Sequence, residues 1–204
     1  MKALKTAYVM GGSSHAQRFF LNKNEKYKDF FDEKIYLLDL EKTDISSFDL
    51  LVISSRLNTR FLKKNEDKIR DFLSSGKSVV FFGEHDESWF SEIKYKSLPT
   101  NFWWWINKGA DLPVYVVDDE FKKYLSDDDC KWHYHGIFHT KTEHKKVIVN
   151  ELNEAIFYED SSTFKGKMFV TTLDPEFHFG MGFMPKTEPF FDKFMEYVLN
   201  NLAI

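Results

Sequence analysis

Along the first 85 residues, short apolar runs alternate with polar stretches of helical spacing. Residues 7–10 (AYVM), 34–40 (KIYLLDL), 50–54 (LVISS) and 78–82 (SVVFF) are near-continuous apolar runs of strand length. Strands of that character are buried on both faces, as in a parallel sheet. Residues 58–75 instead carry Phe61, Leu62, Ile69, Phe72 and Leu73 at helical spacing, with charges between them and Gly76 as the stop. Residues 16–31 read as helical or mixed. The predicted order is β-α-β-β-α-β, the pattern of a doubly wound α/β sheet. The middle of the chain is less regular. Residues 114–117 read as a strand, 147–150 and 155–158 as a β pair near the sheet edge, and 169–173 as the last strong strand. Residues 187–202 close the chain as a helix, with Phe190, Phe191, Phe194, Met195, Val198 and Leu199 on one face and Pro189 in the first turn.

Length and composition narrow the classes. The 204 residues, with no repeat, low-complexity tract or linker, read as one domain spanning 1–204. A net charge of −4 with scattered basic residues argues against a nucleic-acid partner. The single cysteine, Cys130, excludes a disulfide framework and a cysteine-based zinc knuckle. No apolar run approaches the ~18 residues of a membrane span, and the amino terminus lacks a signal-peptide core. The expectation is a cytoplasmic protein with no membrane partner. The 22 phenylalanines read mainly as core. Trp103-Trp104-Trp105 differs, because three adjacent tryptophans cannot all face inward. One in the core and two over a hydrophobic interface, as in a homodimer, is one reading; a stacking platform for a sugar or base, with Trp104 against the ligand, is the other.

Three segments carry candidate chemistry besides the amino-terminal turn. There, the first strand opens into Gly11, Gly12, Ser13, Ser14 and His15, a strand-to-helix turn whose amides would face a ligand. It is not a dinucleotide fingerprint. Gly83-Glu84-His85-Asp86 has the layout of a nucleophile elbow without Ser, Cys or Thr at the elbow, which disfavours a covalent hydrolase. His85 then reads as a general base or metal ligand, against the alternative of a hydrogen-bonded loop histidine. In Trp132-His133-Tyr134-His135-Gly136, a strand would turn His133 and His135 to one face. That is compatible with chelating a divalent metal such as zinc, His178 or a carboxylate completing the shell. An HxH pair is more often structural. Finally, Phe169–Gly180 (FVTTLDPEFHFG) is a strand run stopped by Asp174-Pro175, with Glu176 and His178 beyond. Titratable groups at a strand end sit where open α/β sheets bind ligands. The plain alternative is that Asp174 caps a turn and Glu176 is solvated.

Together, Gly11-Gly12, the elbow at Gly83, the WHYHG segment and TTLDPEFHFG with the later TEPF resemble the class I glutamine amidotransferase-like superfamily. The resemblance is strongest to its non-amidotransferase, trehalose-utilisation (ThuA-like) branch. It implies a flavodoxin-like three-layer sandwich with a mainly parallel central sheet. In amidotransferases the elbow reads G-x-C-x-G and a late strand ends in H-P-E, supplying a Cys-His-Glu triad. Laid onto this chain, the cysteine falls on His85, the histidine on Asp174 and the glutamate on Glu176. The nucleophile is missing, so thiolate attack on a glutamine amide is excluded at this site. The resemblance instead implies a site of His85, Asp174 and Glu176, with His85 as base or ligand and Asp174 orienting it. Around them Gly11, Gly12, Ser13, His15, Glu84, Trp104 and His178 would take a small polar molecule such as a carbohydrate. A non-catalytic binding or assembly module is the competing expectation.

Overall fold

The computed structural model describes residues 4–11, 19–23, 25–85, 89–99, 103–104 and 106–202. Five strands form a parallel array: β1 (Thr6–Met10), β2 (Glu33–Tyr36), β3 (Leu50–Ile53), β4 (Ser78–Phe82) and β10 (Met168–Thr171). Their order across the sheet is β2-β1-β3-β4-β10. β1, β3, β4 and β10 are buried along their whole length, as near-continuous apolar runs require of strands covered on both faces. Alternate residues feed two cores. Tyr8, Val52, Val80, Phe82 and Phe169 face one; Ala7, Val9, Leu51, Ile53, Phe81 and Val170 face the other.

Helices cover both faces, giving the expected three layers. The first core is closed by α5 (Thr187–Leu202) through Phe190, Phe191, Phe194, Met195 and Val198. The second is closed by Ile69, Phe72 and Leu73 of α2 (Glu66–Ser74). Full burial of each such side chain contributes about 1.5–3 kcal/mol. α2 is preceded by α1 (Thr59–Lys64), capped by the Asn58 side chain on the amides of Arg60 and Phe61. The helix expected over 58–75 is therefore two, divided at Asn65, whose amide side chain bonds the Phe61 carbonyl instead.

Beyond β10 the sheet turns antiparallel. β9 (Ala155–Asp160) pairs with β10, with β8 (Lys145–Asn150) and with β7 (Gly136–Phe138). β6 (Val114–Val116) extends β8, and β5 (Tyr95–Ser97) extends β7. β8 and β9 thus form the expected pair, but β9 lies inside the sheet and not at its edge. Sequence predicted one strand over 34–40; it ends at Tyr36 and passes into a 3-10 turn over Leu37–Asp39. A short α3 (Asp127–Cys130) leads towards the WHYHG segment. Among the described residues no helix is long and apolar enough to cross a membrane.

Because β1, β3, β4 and β10 run parallel, their carboxyl ends open on one side of the sheet. β1 has β2 on one flank and β3 on the other, so the winding reverses there. Ligands of open α/β sheets bind in the crevice at such a reversal.

Candidate functional site

Three carboxyl ends of this array deliver a polar group. β3 runs through Ser54 and Ser55 to Arg56, β4 through Gly83 to Glu84, and β10 to Asp174. Pro175 does not merely stop a strand. It stands at the first position of α4 (Pro175–Gly180), where its missing N–H is not needed and its fixed φ fits the helix. That turn places Asp174 and His178 one above the other, at i and i+4. Asp174 stands at the N-cap, yet its carboxylate caps nothing. It is turned into the site instead, so the plain reading of Asp174 as a turn cap does not hold.

Asp174 is the hub. Its Oδ2 accepts from Arg56 Nε at 3.2 Å and Nη2 at 3.0 Å. The same oxygen lies 3.6 Å from His135 Nε2. Oδ1 lies 3.0 Å from His178 Nε2, close enough for an ion pair but with angles short of a hydrogen bond. On its far side, His135 Nδ1 meets Glu84 Oε1 at 2.7 Å. The His133 ring stands perpendicular to both its neighbours, 4.3 Å from the His178 centroid and 4.9 Å from that of His135. His133, His135, Asp174 and His178 are all buried, and one ligand atom from each lies within 4.8 Å of the others.

The charges follow from these contacts. Burial alone would raise the Asp174 carboxyl, but the close approach of His135 and His178 outweighs it and holds the group well below the usual carboxylate range. Burial works against charge on His135 too; there Asp174 and Glu84 prevail and push it up to about 9. His133 goes the other way, to about 3, through burial and then the neighbouring charges of His178, His135 and Arg56. Glu84 is lowered chiefly by its hydrogen bond to His135.

The group opens into a cavity of about 570 Å³. Arg56, Glu84, His133, His135 and His178 form its polar wall; Trp103, Phe177 and Phe183 form an aromatic one. A second cavity of about 350 Å³ lies on the other side of Arg56, with Gly11 at its wall. Of the residues expected at the site, Asp174, His178, His133, His135 and Glu84 are thus brought together. His133 and His135 converge although residues 131–135 precede β7 and are not strand, so the strand alternation expected for them is not what aligns them.

The other expected residues fall elsewhere. His85 is not joined to Asp174. Its ring lies in the second core, 6.0 Å from the Phe81 centroid, 6.4 Å from Trp89 and 5.7 Å from Phe138, and neither nitrogen has a hydrogen-bond partner among the described residues. Glu176 is buried beneath the site and lines neither cavity; its Oε1 accepts from the Ser55 amide at 2.8 Å. Burial, and then the Asp174 charge, raise its pKa to about 7. Trp104 lines a neighbouring apolar cavity of about 540 Å³ with Phe183 and Met184, and it is Trp103 that faces the histidines. Gly12, Ser13, His15 and Trp105 lie outside the described residues. Cys130 is buried in the first core with its thiol pushed up by burial, far from a nucleophile's requirements.

Arg56 was not legible as a site residue. The one local signal is a charged residue two serines beyond a buried strand. Its backbone has φ of 57°, which few non-glycine residues adopt.

The strained position of an elbow is where a nucleophile stands. In this chain that position is Gly83, with φ of 84°, and not His85. The Gly83 amide is fixed to β10 by the carbonyls of Thr171 at 2.9 Å and Leu173 at 3.1 Å. A Cβ there would meet Ser55 Cβ first, at 2.5 Å, with Asp174 Cβ 3.8 Å away. The Gly83 turn thus packs against Ser55 and close to Asp174, and it carries no side chain.

The chain matches a glutamine amidotransferase from Thermotoga maritima with a TM-score of 0.52 at 10% identity, over 98% of this chain and 86% of that one. It matches a Thermoplasma acidophilum protein assigned to GMP synthase with a TM-score of 0.59 at 12% identity, over 100% and 96% of the two chains. The fold is class I glutamine amidotransferase-like. No family model and no curated protein matches the chain.

Proposed function

We propose that this protein uses the amidotransferase-like fold to hold a divalent metal, and to bind and process a small polar molecule beside it. The observation that carries this is the convergence of His133, His135, Asp174 and His178 within 4.8 Å, all four buried and the three histidines at one cavity wall. Three imidazoles and a carboxylate suit zinc or a similar borderline ion. Buried polar atoms without hydrogen bonds, among them both nitrogens of His178 and Oδ1 of Asp174, are costly unless something else satisfies them. A bound ion would satisfy one nitrogen of each imidazole and Oδ1 of Asp174. Glu84, against His135 Nδ1, is the partner that would fix the orientation and tautomer of that ligand.

Such an ion would supply charge to polarise a ligand oxygen or an attacking water. The residues contribute the rest. Asp174 and the histidines fix the place, Trp103, Phe177 and Phe183 offer an aromatic wall on one side, and Arg56 sets a positive charge on the other. No covalent route through the elbow is available, because Gly83 has nothing to attack with. We extend the proposal to lineage: the trehalose-utilisation type is the branch we favour. The segments that carry that resemblance, Gly11, WHYHG and DPEFH, meet around the two cavities.

The test is metal stoichiometry on protein made without a histidine tag. About one equivalent of zinc is expected after dialysis. His178→Ala and His133→Ala should each weaken it by about 100-fold or more, since even the loss of outer-shell partners costs 10–100-fold. Metal far below one equivalent in the wild type, at neutral pH and micromolar free zinc, would overturn the metal reading.

A further inference from the structure

We infer that Arg56 is the anchor for an anionic group, and that the ligand is a carboxylate or phosphate carried on an apolar body. This rests on the reading above that the cavity takes a small ligand, and it names that ligand's class. Three observations converge on it. First, Arg56 holds a left-handed backbone at φ of 57° at the carboxyl end of β3. That conformation costs about 1–3 kcal/mol for such a residue, where glycine or asparagine would sit with less strain. Strain of this kind persists where the surroundings impose it, and here it aims a guanidinium into the crevice.

Second, among the described residues the guanidinium is the only Lys or Arg group lining either of the two cavities at this sheet edge, and it stands between them. Its face lies 4.0 Å from the Phe177 ring, which fixes its plane. Nε and Nη2 both converge on one oxygen of Asp174. A guanidinium offers five donors and pairs best with both oxygens of an oxyacid. Its present contact with Asp174 uses two of its nitrogens, Nη2 also lies 3.4 Å from His135 Nε2, and the side chain remains 36% exposed towards solvent. A ligand oxyanion in the cavity would engage the fork that Asp174 fills only in part.

Third, the charges call for an anion. A divalent ion and Arg56, set against Asp174 and Glu84, leave the site with one surplus positive charge. Across the cavity the wall is aromatic: Trp103, Phe177 and Phe183. Polar recognition at one end and apolar walls at the other describe an acid with a flat or hydrophobic body.

Titration of zinc-loaded and zinc-free protein with phenyl phosphate and with benzoate, read by tryptophan fluorescence and calorimetry, tests this. Benzyl alcohol serves as the uncharged control. At least one anion should bind the wild type and the alcohol should not compete with it. Arg56→Gln should weaken that binding about 10- to 100-fold, the worth of a charge-assisted pair. Arg56→Lys, which keeps the charge but not the fork, should fall between. Which anion prefers the site tells phosphate from carboxylate. Equal affinity in the wild type and Arg56→Gln, or no binding of either anion, overturns the inference. Zinc content measured on the same samples separates the two proposals. Zinc without Arg56-dependent anion binding defeats only this one, and Arg56-dependent anion binding without zinc defeats only the metal site.

Discussion

Gly83→Ala is expected to destabilise the protein by about 3 kcal/mol or more, a large loss for a change of one methyl group. Two effects combine. The backbone at 83 has φ of 84°, which costs any L side chain. A Cβ built there would also stand 2.5 Å from the Ser55 Cβ and 3.2 Å from its Cα, so β3 and β4 would have to part at the site. Ser55 cannot yield freely, because its amide holds Glu176. Urea midpoints of Gly83→Ala, Ser55→Gly and the double variant form a cycle. Ser55→Gly removes the nearest clash but relieves neither the crowding against the backbone of residue 55 nor the dihedral, so partial rescue of about 1–2 kcal/mol is expected. A loss below about 1 kcal/mol in Gly83→Ala would show that the elbow is not packed as described. Gly83→Cys meets the same obstacle. It should release no ammonia from glutamine, because the side chain would arrive strained against Ser55, with a carboxylate at Asp174 where a base for the thiol is wanted.

The same turn shows what sequence can and cannot reveal. The apolar runs at 50–53 and 78–82 give buried parallel strands because both faces of such a strand need apolar cover, a purely local pattern. The closing helix over Thr187–Leu202 is legible for the same reason: its stripe of phenylalanines has one period and one place to go. Asp174 and His178 are visible as candidates, but their alignment depends on Pro175 starting a helix, and proline ends strands as readily as it begins helices. Arg56 leaves almost no trace, since its left-handed backbone is imposed by tertiary contacts. Trp103 and Trp104 look alike in sequence; only the packing against Phe183 and Lys186 decides which of them faces the histidines. His85 misleads in the opposite direction. A polar residue just after a buried strand resembles a site residue, and in this chain it packs with the core.

That placement predicts a pH signature. His85 is buried among Phe81, Trp89 and Phe138, and burial lowers its pKa from 6.5 to about 3. Below pH 6.5 the unfolded chain takes up a proton at this imidazole and the folded chain does not. Stability is therefore retained above pH 6.5 and lost as the pH falls towards the folded value, by up to about 1.4 kcal/mol per pH unit. His85→Phe removes this loss. Neither ring nitrogen has a hydrogen-bond partner among the described residues, so the phenyl group abandons no polar contact, and its slightly larger volume costs about 1 kcal/mol. The variant should be near wild type at pH 7.5 and more stable by on the order of 2 kcal/mol at pH 4.5, measured as urea midpoints on zinc-free protein. The difference between the two proteins cancels the acid response of the other histidines, which both share. Parallel stability curves would mean that His85 titrates normally and reaches solvent. An imidazole held neutral by burial, with no hydrogen-bond partner among the described residues, has no proton to exchange with a ligand near neutral pH, so the proposed site rests on the groups around Asp174 and not on His85.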